Sequence, residues 1–138
     1  IMRAIGLFRE LTNKAEAPSV LDSADRLGPE QVALVASYLA DGEALLDSME
    51  ASPNPFVPGA SIPGGSGMVA TSRFVFRQDL RVLVERYRVA VDDDVLAAAT
   101  SGERLLPEQR AELHRQIPAL FKLLQGGAVK LRGELPAQ

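Results

Sequence analysis

The chain has 138 residues, 46% of them hydrophobic and 24% charged, with a formal net charge of −3. That length and balance predict one globular domain over residues 1–138 with a core of its own. The absence of cysteine excludes disulfides and thiolate metal sites, and no apolar run approaches the ~20 residues needed to span a bilayer.

Residues 2–11 show neither a clean helical nor a clean strand period and read as a short strand or irregular entry segment. Residues 12–28 are polar, contain Pro18 and Gly28, and read as loop. A helix is predicted over 29–41: Gly28 can act as N-cap, Pro29 sits where its missing N–H costs nothing, and Val32, Val35, Ala36 and Leu39 form one stripe. Asp41-Gly42 should end it, with Gly42 in the left-handed cap. Residues 43–50 are ambiguous between helix and strand and are read as strand. Residues 52–67 hold Pro53, Pro55, Pro58 and Pro63 with Gly59, Gly64, Gly65 and Gly67, so regular structure is not expected there.

Met68-Val69-Ala70 and Phe74-Val75-Phe76 flank Thr71-Ser72-Arg73 and predict a β-hairpin, although the Asn-Gly turn signal is missing. Phe74 and Phe76, two residues apart, should enter the core from one strand face. Asp79 can cap a helix carrying Leu80, Leu83, Val84 and Tyr87, and Asp92 can cap a shorter one carrying Val95, Leu96 and Ala99. Pro107 opens a last helix with Leu113, Ile117, Leu120, Phe121 and Leu124 on one stripe, and Pro118 should kink or break it. Residues 128–132 alternate and read as a terminal edge strand. Strands and helices segregated in this way predict an α+β fold, a small antiparallel sheet packed by about four helices.

The net charge conceals an asymmetry. Residues 21–50 contain seven acids against Arg26, whereas residues 73–88 contain five arginines against Asp79 and Glu85. Such segments can face each other or offer a surface to a charged partner. Arg73, Arg77 and Arg81 are the candidate partner-binding residues. Their interleaving with Phe74, Phe76 and Tyr87 could suit single-stranded nucleic acid, but core-facing phenylalanines and an acidic chain oppose that, and no nucleic-acid partner is expected.

Gly65-Ser66-Gly67-Met68-Val69-Ala70 fits G-x-G-x-x-[GA] formally, yet a proline-rich loop precedes it and a strand follows, so a dinucleotide site is not predicted. Gly64, Gly65, Ser66 and Gly67 remain candidate ligand-binding residues, because such a loop can cradle an anion through backbone N–H groups. Asp92-Asp93-Asp94 diverge at a helix start and complement its dipole. His114, the single histidine, has no orienting acid or nucleophile within a recognisable motif. Neither a metal, a cofactor nor a catalytic set is therefore expected.

Residues 62–68 (IPGGSGM), then Phe74-Val75-Phe76-Arg77-Gln78-Asp79-Leu80 and Tyr87-Arg88-Val89, resemble a group of small uncharacterised bacterial proteins. These carry a Gly-Gly-Ser loop, a Thr-Asp-Gly turn, a Trp-x-Trp strand and a following x-Asp-Leu helix, and several are regarded as immunity partners of secreted toxins. Here phenylalanines replace both tryptophans, and Ala70-Thr71-Ser72-Arg73 replaces the turn. The resemblance covers residues 29–96 and implies a non-enzymatic protein-binding module of the toxin-immunity kind. The alternative is a small-molecule or anion-binding protein, or an enzyme, that uses the Gly-rich loop 59–67. With no leader pattern at its start, the chain is expected in the cytoplasm, away from membranes.

Overall fold

The computed structural model describes residues 2–126. In chain order it forms β1 (Arg3–Ala4), α1 (Arg9–Thr12), a 3-10 turn (Val20–Ser23), α2 (Pro29–Ala40), β2 (Glu43–Leu46), β3 (Ser52–Pro53) and β4 (Ser61–Ile62). There follow β5 (Met68–Ala70), β6 (Phe74–Arg77), α3 (Asp79–Tyr87), α4 (Asp93–Ser101), α5 (Pro107–Arg115) and α6 (Ile117–Leu124). This is the α+β arrangement that the sequence predicts. The edge strand expected at 128–132 lies outside the described residues.

The main sheet has the order β1-β6-β5-β2. β5 and β6 form the expected antiparallel hairpin, in the register Val69↔Phe76 and Ala70↔Val75. In place of an Asn-Gly turn, the Thr71 hydroxyl accepts the N–H groups of Arg73 at 3.4 Å and Phe74 at 3.2 Å, a hydroxyl turn that needs no left-handed residue. The sheet is mixed and not purely antiparallel, because β1 joins the free side of β6 in parallel, Arg3 opposite Phe74.

Both sheet faces are covered. Val69, Phe74 and Phe76 pack against Leu39, Leu80, Leu83, Val84 and Val95 from α2, α3 and α4. Met68, Ala70 and Val75 face the other way, onto Leu113, Leu120 and Leu124 from α5 and α6. The alternation along β6 thus feeds two cores, one per face. Arg3 ties β1 to the start of α4 through Asp92 and Asp94, both at 2.6 Å, and the hydrogen bond from Arg3 holds the Asp94 carboxyl below its usual range.

Several local expectations change. Gly42 does not adopt a positive φ; its role is close approach, since a Cβ there would stand 2.7 Å from Cγ1 of Val69. Asp79 does not cap α3, whose N-cap is Gln78. Asp92 occupies the N-cap of α4 but makes no side-chain cap bond, because its carboxylate is paired with Arg3. The break at Pro118 is present, separating α5 from α6 at Gln116. Phe121, counted in the apolar stripe, is 43% exposed.

Residues 52–67 are more ordered than their composition predicts. β3 and β4 pair as a two-stranded ribbon. Asn54 organises the turn between them, its side-chain oxygen accepting the N–H groups of Phe56 at 2.8 Å and Val57 at 3.2 Å. The ribbon is fastened to the end of α3, where the Asn54 amide donates to the Tyr87 hydroxyl at 2.9 Å and Phe56 stacks on Tyr87 at 4.2 Å.

Candidate functional site

The Gly-rich loop 64–67 sits on the junction between β6 and α3. Its carbonyls supply what the helix start needs: the Gln78 N–H donates to the Gly67 carbonyl at 2.8 Å and the Asp79 N–H to the Gly65 carbonyl at 3.0 Å. Orphan donors of a helix N-terminus are thereby satisfied by carbonyls. The loop's own N–H groups are partly engaged as well, Gly65 donating to Ile62 and Gly67 to Gly64. Of the four candidate ligand-binding residues, Ser66 presents its side chain at the surface, where its hydroxyl donates to that of Ser48 at 2.8 Å.

Beneath the loop lies a buried polar cluster. The Asp79 side chain is 0% exposed and that of Arg77 17%. Arg77 donates to the carboxylate through Nε at 3.2 Å and Nη2 at 2.9 Å, and the Ser52 hydroxyl donates to Oδ2 at 3.0 Å. Gly65 closes the cluster from above. A Cβ at that position would stand 1.9 Å from Oγ of Ser52 and 3.2 Å from Oδ2 of Asp79, so only glycine lets the backbone descend this far. The cluster has a hydroxyl and a carboxylate, but that carboxylate is matched to a guanidinium and roofed by backbone. Its chemistry is structural: it fastens the loop to β3 and α3.

The three candidate arginines separate in space. Arg77 belongs to the buried cluster. Arg73 pairs with Glu103 at 3.1 Å and Arg81 with Glu85 at 3.2 Å, both on the surface. The acidic segment likewise finds internal partners. Asp25 lies 3.7 Å from Arg88, and Arg110 bridges Asp41 and Glu43 at 3.0 and 2.9 Å. His114 completes that group, with Nε2 at 2.8 Å from Glu43; an ionised carboxylate only accepts, so Nε2 carries the proton. His114 and Arg110 together hold the Glu43 carboxyl below its usual range.

Two surface features were not legible as sites. One is the ridge that begins at the end of β2, in which Leu46 is 38% and Met49 101% exposed, with exposed Asp47 and Glu50 beside them. The Ser48–Ser66 hydrogen bond joins this ridge to the Gly-rich loop. The other is a groove of about 490 Å³ between α1, α6 and the same loop, reached by Ser66 and Arg77. A free-standing Met between two acids has no period to betray it, and the groove is assembled from segments remote in the chain.

Among the described residues no three metal-ligating side chains group to hold an ion, and no helix is long and apolar enough to cross a membrane. Comparison of the chain with protein families, with curated proteins and with solved structures finds no match.

Proposed function

We propose that the protein is a non-enzymatic binding module that works by contact with a protein partner, through the ridge 46–50 and the adjoining Gly-rich loop. The observation that carries this reading is Met49, an apolar side chain 101% exposed. Flexible, polarisable methionine adapts to a partner's surface. Leu46 widens the apolar area, and Asp47 and Glu50, which have no ion pair among the described residues, favour a basic partner surface. Arg81 lines a small recess with Ala44 of β2. Its exposed pair with Glu85 is the kind that contributes little to stability and exchanges readily for a partner's carboxylate. Arg73 stands in the same relation to Glu103. The resemblance to immunity proteins supports a toxin as the partner.

The test is affinity capture from the protein's own cells with wild type and Met49→Asp side by side. Wild type is expected to retain a partner in stoichiometric amount. The variant should lose it, since truncation of an anchor costs about 2 kcal/mol or more of binding, while melting at the wild-type temperature. Equal retention by the two proteins would remove the ridge from the contact.

A further inference from the structure

Independently of the ridge, we propose that the groove between α1, α6 and the Gly-rich loop binds a small amphipathic monocarboxylate, an acid with a medium-length apolar tail. Its volume of about 490 Å³ lies within the ~300–1,000 Å³ of small-molecule sites. Its floor is apolar, made by Leu7, Leu11, Phe121 and Leu124. Phe121 is 43% exposed.

The charged lining of the groove is cationic. Among the described residues Lys14 and Arg77 line it, and no carboxylate does. Arg77 is held from behind: Nε and one N–H of Nη2 face Asp79, and one N–H of Nη1 faces the Leu11 carbonyl at 3.4 Å. Each terminal nitrogen therefore keeps one further N–H, a pair suited to a planar carboxylate. Lys14 donates one of its protons to the Gln125 carbonyl and has others to give. Two cations against the single buried Asp79 leave one net positive charge, which matches a monoanion better than a dianionic phosphate. The Ser66 and Thr12 hydroxyls also line the groove, with their protons given to Ser48 and to the Phe8 carbonyl. A groove that combines apolar side chains with two cations selects a ligand with an apolar tail and an anionic group.

Titration calorimetry of the full chain with decanoate, decyl phosphate, decanol and decyltrimethylammonium, all below micelle formation, tests this. Decanoate is expected to bind saturably, one per chain, and to raise the melting temperature. Decanol should bind about tenfold more weakly, as loss of a charge-assisted hydrogen bond implies, and the cation not at all. Lys14→Glu should weaken decanoate by more than tenfold. Phe121→Ser should weaken decanoate and decanol alike. Phe121 is exposed and Lys14 half-buried, its ammonium bonded to the Gln125 carbonyl, so without ligand Phe121→Ser should melt like wild type and Lys14→Glu close to it. Failure of decanoate to saturate, equal binding of decanol or the cation, or indifference to Lys14→Glu would each overturn the proposal. Tighter binding of decyl phosphate would overturn the monoanion assignment.

Discussion

Arg77 and Arg81 are one helical turn apart in sequence and look interchangeable there, yet their surroundings make them opposites. Arg77 neutralises a carboxylate with no access to water, whereas Arg81 pairs with an exposed glutamate across a helix turn. Removing one member of a buried pair strands the other charge, so Arg77→Ala should cost about 3–5 kcal/mol. Arg81→Ala should stay within about 0.5 kcal/mol of wild type. Urea denaturation of the two variants checks this, and equal costs would contradict the buried pair. Sequence reading placed both arginines on the surface because nothing local marks the difference. Asp79 is two residues from Arg77 across a strand-to-helix junction, where neither regular period says which way a side chain turns. Ser52, the third member, comes from β3, distant in sequence.

Elements with a period were legible. The stripe of α2, the alternation of β6 and the proline break between α5 and α6 all follow from spacing, and Phe74 and Phe76 do share one buried face. Phe76, 1% exposed, touches helices that arrive from both sides in sequence. Phe76→Ala should therefore cost about 3–5 kcal/mol through lost burial and the cavity left behind. Thermal melting reads this, and a midpoint unchanged within a degree or two would contradict the packing. What escaped were the two-residue strands β3 and β4, which are too short to express any alternation, while β1 falls in the segment read as a short strand or irregular entry. Their place is set by partners: β3 and β4 by each other and by Asn54, β1 by the open side of β6. The groove and the ridge escaped for a related reason, because each is defined by what other segments leave uncovered.

At the scale of the molecule, α5 is braced against the sheet edge by Glu43, which Arg110 and His114 grip from the helix. The Glu43 pKa is held below its ordinary 4.5, chiefly by the bond to His114 and then by Arg110. A carboxyl depressed in the folded state adds stability that is fully present above its unfolded pKa and vanishes as the pH falls through the folded value. Wild type should accordingly lose melting temperature more steeply than Glu43→Gln between about pH 5 and pH 3, and the two curves should converge in acid. Parallel melting curves over that range would show that the brace does not depend on the Glu43 charge. The parallel union of β1 with β6 has another consequence, in time. Arg3 faces Phe74, so β1 has no partner in the sheet until β6 has been made. At ~5–20 residues per second, that is a wait of several seconds. Once the hairpin forms, the far side of β6 is an open edge until β1 closes it.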